Sequence, residues 1–174
     1  MANTYTLISS VTVGAGGASS IDFTSIPATY TDLLVMLSLR SVPAATDVAT
    51  YVRLNNDSSS TNYSYRRIYG NGSSVYSDTG SGLSYAIIGS HDASNATANT
   101  FANLSFYLPN YAGSSNKSFS TDAVTENNAT SAIASLTAGL WANSTAVNAL
   151  KFGDFGGNNF AQYSTAYLYG IKNS

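Results

Sequence analysis

The chain has 174 residues, of which only 9% are Asp, Glu, Lys or Arg, while Ser, Thr and Asn together supply more than a third. Average soluble domains carry about 25% charged residues, so this surface must be neutral and rich in hydroxyls and amides. With no Cys, one His and a net charge of −2, the chain cannot form disulfides or a thiolate zinc site, and it offers no electrostatic footprint for nucleic acid or anionic lipid.

The length suits a single domain spanning residues 1–174, which would bury roughly 70% of the surface of its unfolded chain. The longest apolar run, residues 33–37, is far shorter than the roughly 20 residues that a membrane span needs. The first residues also lack the basic and apolar regions of a signal peptide. We therefore expect a protein that binds neither membrane nor nucleic acid.

Alternation of apolar and polar side chains predicts about ten β-strands, because the residues that favour exposed helical faces are nearly absent. Turn residues separate the predicted strands. These strands lie near residues 5–13, 19–24, 31–42, 49–54, 63–70, 83–90, 100–108, 117–125, 131–141, 147–153 and 162–172.

Three of these segments have informative patterns. Residues 33–37 are apolar on both faces, which is typical of a central strand covered on both sides. Leu104, Phe106 and Leu108 alternate with less apolar neighbours and should form one apolar face. The even positions of 132–140, which include Leu136, are predicted to do the same with smaller side chains.

The spacing of the strands predicts the fold class. Many short strands separated by turns are typical of an antiparallel sandwich or barrel. The links 91–99 and 109–116 are too long for tight hairpins and suit strands that cross between two sheets. The sequence therefore predicts an all-β, antiparallel β-sandwich of the jelly-roll type.

No constellation of residues predicts catalysis, a cofactor or a metal site. His91 should be a solvated loop residue after a strand, because no nucleophile motif accompanies it. Residues 55–57 and Asp47 could supply oxygen ligands to calcium, but Asx turns explain residues 55–57 more readily. The kinase-like sequence at 154–156 lacks the other kinase motifs and predicts a turn.

Tyrosine and arginine are the more informative residues, because both are enriched at protein interfaces. Alternation places Tyr63, Tyr65, Arg67 and Tyr69 on one face of their strand and Arg66 on the other. Arg53 would lie nearby if its strand pairs with this one. The last strand has the same character, with Tyr167 and Tyr169 on one face.

Three explanations of these residues stay open. They could form a protein interface, or Tyr rings could stack on sugars in a glycan-binding groove. Alternatively, the tyrosines cap the sheet with wet hydroxyls while Arg66 and Arg67 pair with Asp residues. The interface and ligand candidates are Arg53, Tyr63, Tyr65, Arg66, Arg67, Tyr69, Tyr167 and Tyr169.

Three regions of the chain carry a family resemblance. They are IDFTSIP at 21–27 followed by YTDLL at 30–34, LNND at 54–57 leading to NYSYRRIYG at 62–70, and YLYGIK at 167–172. This pattern resembles small virion structural proteins of tailed bacteriophages, particularly phages of aquatic bacteria and cyanobacteria. The resemblance spans nearly the whole chain, and its motifs are strand and turn signatures that carry no chemistry.

The resemblance implies a jelly-roll sandwich that serves as a head decoration (cement) protein, a head fibre or a tail-fibre module, with no catalytic residues. Because no coiled-coil heptads or repetitive shaft are visible in the chain, we expect a non-enzymatic cement protein on the outside of the capsid, made in the host cytoplasm. Its partners would be the major capsid protein and its own copies, as a homotrimer matching local three-fold axes. The alternative is a receptor- or glycan-binding module of a fibre or spike, with a host surface glycan as its partner.

Overall fold

The computed structural model describes residues 4–128 and 132–172, which fold into twelve strands. Within these ranges there is no α-helix, and so none of the length and apolar character that crossing a membrane requires. The strands are β1 (Tyr5–Thr12), β2 (Ser20–Phe23), β3 (Asp32–Leu39), β4 (Asp47–Leu54), β5 (Tyr63–Gly70), β6 (Val75–Leu83), β7 (Ala86–Asp92), β8 (Ala102–Leu108), β9 (Lys117–Val124), β10 (Ala134–Trp141), β11 (Leu150–Asp154) and β12 (Thr165–Ile171).

The strands form two sheets in which all neighbours are antiparallel. The larger sheet has the order β1-β12-β3-β8-β9-β10-β5-β6, and the smaller sheet has the order β2-β11-β4-β7. Without the pairs β5–β6 and β9–β10, four strands remain in each sheet, β1-β12-β3-β8 and β2-β11-β4-β7. This is the two-sheet arrangement of an eight-stranded jelly roll, so the predicted fold class is confirmed.

The two additional hairpins extend one edge of the larger sheet. The pair β5–β6 follows β4 in the chain, and the pair β9–β10 follows β8. Both add beyond β8, so β9, β10, β5 and β6 form a continuous extension of the larger sheet. The strand β6 was not predicted, because its sequence VYSDTGSGL has no apolar alternation. It exists because its backbone pairs with β5 along nearly its whole length.

The core lies between the two sheets. Phe106 of the larger sheet contacts Phe119, with 5.1 Å between ring centroids, and meets Phe152 of the smaller sheet edge-on at 5.6 Å. The strand β7 is buried along its whole length and crosses above β8, β9, β10 and β5. The smaller sheet therefore covers the inner faces of β9 and β10 as well as that of the jelly roll.

The predicted strand faces and links are confirmed only in part. Leu104, Phe106 and Leu108 are buried, as expected. The strand β3 is central, but only one of its faces is covered, and Met36 points away from the core with 42% of its surface exposed.

The link after β7 does cross between sheets, and the Arg40 guanidinium holds it by donating to four backbone carbonyls of residues 94–100. The link 109–116 instead joins β8 and β9, which are neighbours in one sheet.

Predictions at the ends of the described ranges have different outcomes. The last strand is tied into the larger sheet between β1 and β3. Residue 131, the first of the predicted strand 131–141, lies outside the described residues, as do residues 1–3 and 173–174. The single-domain boundaries 1–174 stay a prediction.

Candidate interaction surface

The strand β10 is amphipathic, and its apolar side faces solvent. Leu136 is 59% exposed, whereas Ser135 and Thr137 on the opposite side are buried. The predicted apolar face of residues 132–140 therefore exists, but it points away from the core. The orientation follows from the close approach of β7. Gly89 of β7 has φ of 143° and lies so near β9 that a Cβ atom there would clash with Ala123.

Because Gly89 lies so close, only small side chains fit between it and the facing parts of β9 and β10. The Ser135 hydroxyl would lie 3.5 Å from a Cβ atom on Gly89. The hydroxyl oxygens of Thr121, Ser135 and Thr137 are buried and have no hydrogen-bond partner among the described residues. Unpaired buried hydroxyls cost about 1–3 kcal/mol each. The part of the extension that faces Gly89 therefore has a small, polar inner surface, and the larger aliphatic side chains of β10 are outside.

These outward aliphatic side chains form a continuous surface, which we name the outer strip. It consists of Ile68, Val75, Val124, Ala134, Leu136 and Ala138. Val75 is 84% exposed and Ile68 is 57% exposed. A single exposed Leu is ordinary on a protein surface, but a contiguous exposed apolar patch marks an interaction site.

The strand register determines where the outer strip is raised and where it is hollow. Leu136 is paired with Ile68 on one side and with Asp122 on the other, so the three side chains form a row across β9, β10 and β5. Two depressions, of about 630 Å³ and about 370 Å³, share these three residues in their walls. The row therefore forms a ridge between two shallow hollows.

Two charges of opposite sign flank the outer strip. Arg66 pairs with Ala138 across β5 and β10, and Asp122 lies on the other side of β10 beside Leu136. Arg66 donates only to the backbone carbonyl of Tyr65, and neither residue forms an ion pair with another residue in 4–128 or 132–172. Both charges are therefore free to meet a partner.

The opposite side of β5 carries the four residues that alternation placed together, and they do not form an open face. Tyr63 is completely buried and stacks on Trp141, and its hydroxyl accepts from the Leu54 amide at 2.8 Å. Burial raises the pKa of Tyr63 far above its ordinary value. This corrects the interface prediction for Tyr63, which belongs to the core. Burial also raises the pKa of the half-buried Tyr65.

Arg67 and Tyr69 are held by neighbours on the same side of the sheet. The Arg67 guanidinium donates to both carboxylate oxygens of Asp78, at 3.1 and 2.6 Å, and lies 4.6 Å from the centre of the Tyr69 ring. Tyr69 in turn stacks on Tyr76. The predicted pairing of arginine with aspartate is thus confirmed for Arg67. It is wrong for Arg66, which is exposed on the outer side.

Arg53 does not lie near β5, because its strand β4 belongs to the smaller sheet between β11 and β7. Its Nε donates to the Ser84 carbonyl at 3.0 Å, and its guanidinium lies over the Tyr51 ring. Tyr85 contacts both Tyr51 and Phe155, with ring centroids 5.8 and 5.5 Å apart. Phe155 is 54% exposed. These side chains form a second aromatic cluster, which the sequence did not predict because its members are distant in the chain.

Tyr167 and Tyr169 point outward from β12, on the same face of the larger sheet as the outer strip. Tyr167 is paired with Met36, Met36 with Ser105, and Ser105 with Asp122. The row that contains Leu136 therefore continues to Tyr167. Both residues are available to a partner on this face, but three strands separate Tyr167 from β10.

His91 is completely buried, so the prediction of a solvated loop residue is wrong. It lies in β7, where its Nδ1 forms a hydrogen bond of 2.8 Å with the Thr50 hydroxyl and its Nε2 donates to the Asp154 carboxylate at 3.3 Å. Burial alone would raise the pKa of Asp154, but hydrogen bonds from His91 and Asn158 outweigh it and hold that pKa below its ordinary value. The array resembles a triad in composition, but the Thr50 hydroxyl is sealed from solvent. It ties β4, β7 and β11 together.

Two of the candidate calcium ligands, Asn55 and Asp57, are engaged by the protein itself. Asp57 accepts from the Ser59 amide as an Asx turn does, and also from the Trp141 indole and Asn62. Asn55 accepts from the amides of Asn148 and Ala149. In the part of the chain that the structure describes, no three His, Asp or Glu side chains cluster as metal ligands. The Asx-turn interpretation is confirmed for Asp57, and residues 154–156 form a strand end and turn as predicted.

Comparison with known proteins adds little to this geometry. No protein-family model and no curated protein matches the chain. Among solved structures, the crystal structure of Caenorhabditis elegans galectin LEC-6 is similar with a TM-score of 0.36 and 10% sequence identity, over 94% of this chain and 96% of the galectin. A likeness this weak implies nothing about the function of the present chain.

Proposed function

We propose that this chain is a non-enzymatic structural protein of a bacteriophage virion, which decorates the outside of the capsid and stabilises it. The observation that carries the proposal is the outer strip, an apolar surface on a strand whose polar side is buried. Burying about 100 Å² of such surface against a partner contributes about 2.5 kcal/mol of favourable binding free energy. A protein without a partner gains nothing from this arrangement, because exposed Leu136 and Ile68 only raise the risk of aggregation.

The composition of the remaining surface supports assembly. Neutral hydroxyls and amides cost less to desolvate than charges and form many hydrogen bonds across an interface. A virion protein must stay soluble before assembly and then bind many identical neighbours. The partners in this proposal are the major capsid protein and copies of this chain, made in the host cytoplasm, with a homotrimer as the arrangement that matches local three-fold axes.

The test is the number of copies of this protein in purified virus particles, measured by quantitative mass spectrometry against the major capsid protein. A copy number of the same order as that of the capsid protein is expected. About a dozen copies or fewer, the stoichiometry of a fibre or spike at a symmetry axis, would contradict decoration of the capsid. The variant Leu136→Asp should reduce the copies that purified protein adds to undecorated capsids.

A receptor- or glycan-binding module is the second candidate, favoured by the cluster of Tyr51, Tyr85 and Phe155 beside Arg53. Exposed aromatic rings next to hydrogen-bond donors can stack on sugar rings. Binding of isolated protein to a glycan array, lost in Phe155→Ala and kept in Leu136→Asp, would support this candidate. Tyr167→Ala tests a second exposed aromatic position in the same assay.

A further inference from the structure

We propose that the outer strip binds the outer strip of a second copy of this chain about a twofold axis. The inference rests on the proposed function for its setting and names the occupant of that surface. It follows from the distribution of apolar side chains and charges on the outer face of β9, β10, β5 and β6.

The outer face of the extension is electrostatically self-complementary. Among the outward positions of these four strands, Arg66 and Asp122 are the only charged residues, because Asp78 and Arg67 pair on the other side and Lys117 is buried. One charge of each sign, on opposite sides of an apolar centre, is the pattern that an isologous contact needs. A single-sign patch would repel its own copy.

The register shows how the two copies would meet. A twofold axis that lies in the interface and passes between Leu136 and Ala138 brings Arg66 of each copy opposite Asp122 of the other. This axis runs perpendicular to the line from Arg66 to Asp122, so the ridge of one copy crosses the ridge of the second at Leu136. The ridge formed by Leu136 and Ile68 can then enter the larger hollow of the partner, whose floor includes Ala138. Each contact therefore forms twice.

The size of the face predicts a weak pair. Four strands about 4.8 Å apart and about 25 Å long give a projected area of roughly 450 Å² per copy. A total near 900 Å² is at the low end for specific interfaces. We therefore expect dissociation constants in the micromolar range in solution, and a stronger effect in a shell, where neighbouring contacts raise the effective concentration.

Charge reversal provides the test. Sedimentation velocity over a concentration series from about 1 to about 300 µM, which brackets the affinity expected for an interface of this size, should show a reversible monomer–dimer equilibrium. Arg66→Asp and Asp122→Arg should each weaken the association at least about tenfold, because each places two like-charged pairs in the contact. The double variant Arg66→Asp/Asp122→Arg should restore it. Lys172→Asp, a charge reversal outside the face, is the matched control and should leave the equilibrium unchanged.

Several outcomes would overturn the contact. These are a wild-type protein that stays monomeric at the highest concentration, or single reversals that weaken association without rescue by the double variant. Circular dichroism of each variant shows whether a loss of association reflects misfolding, and Leu136→Asp offers a second disruption that does not involve Arg66 or Asp122.

Failure of the self-contact is distinguishable from failure of the virion role. A monomer with a high copy number on particles refutes only the self-contact, and a dimer that is scarce on particles refutes only the decoration role.

Discussion

The backbone of Gly89 in β7 lies directly against the side chain of Ala123 in β9, and this contact sets the separation of the two sheets above the extension. Gly89 has a positive φ of 143°, which L-residues with a side chain rarely adopt. An added methyl group would meet both a strained backbone and the Ala123 side chain. The consequences of this contact reach the inner hydroxyls and the outer strip.

Gly89→Ala should therefore destabilise the fold strongly. Backbone strain and overpacking each cost about 1–3 kcal/mol, so we expect the free energy of unfolding to fall by about 2–6 kcal/mol. Chemical denaturation measures this change. Gly14→Ala is the matched control, because nothing lies within 4 Å of a Cβ atom at Gly14, and its effect should be under about 1 kcal/mol. Equal effects for the two variants would show that the close approach does not exist.

Thr137→Val should stabilise the protein, because it replaces a buried hydroxyl that has no partner with a methyl group of similar size. We expect a gain of about 1 kcal/mol, or a rise of about 2–4 °C in Tm. Thr125→Val is the control and should destabilise the protein, because the Thr125 hydroxyl accepts a hydrogen bond from the Ile133 amide at 2.8 Å. Calorimetry of both variants measures the difference, and a loss of stability in Thr137→Val would contradict the unpaired hydroxyl.

Tyr63→Phe should separate the buried tyrosine from the exposed ones. Removing the Tyr63 hydroxyl leaves the buried Leu54 amide without its 2.8 Å partner, so the free energy of unfolding should fall by about 1–3 kcal/mol. Tyr167→Phe, on the outer face, should change it by less than about 0.5 kcal/mol. Urea unfolding followed by fluorescence measures both variants. A neutral Tyr63→Phe would mean that the Leu54 amide is satisfied in another way.

Stability should fall in acid through Asp154. The pKa of Asp154 in the folded protein lies below its ordinary value of 3.8 because hydrogen bonds from His91 and Asn158 outweigh burial. The unfolded chain therefore takes up this proton at a higher pH than the folded protein does. The contribution of the ionised Asp154 side chain to the free energy of unfolding is fully present above about pH 5. It is lost as pH falls through the lower pKa that Asp154 has in the folded protein. Urea titrations at several pH values should show a smaller acid-dependent loss in Asp154→Asn than in wild type, and an unchanged loss would contradict this role.

The strand pattern and the fold class could be predicted from alternation and turn residues, because the period of two is a local property of the backbone. The strand β6 could not, since backbone pairing with β5 stabilises it and its side chains carry no periodic signal. The buried state of His91 was missed for a related reason. Its partners Thr50 and Asp154 are 41 and 63 residues away in the chain, and only folding brings them together.

The candidate surface shows the same division between local and tertiary information. The sequence by itself determined that Ala134, Leu136 and Ala138 share one face of a strand, because alternate side chains of a strand always do. Only the tertiary structure decided that this face points to solvent. The close contact of Gly89 with Ala123 leaves room only for small side chains such as Ser135 at this point between the sheets. Steric exclusion between the two sheets therefore turned the apolar side of β10 outward and created the surface that a partner can cover.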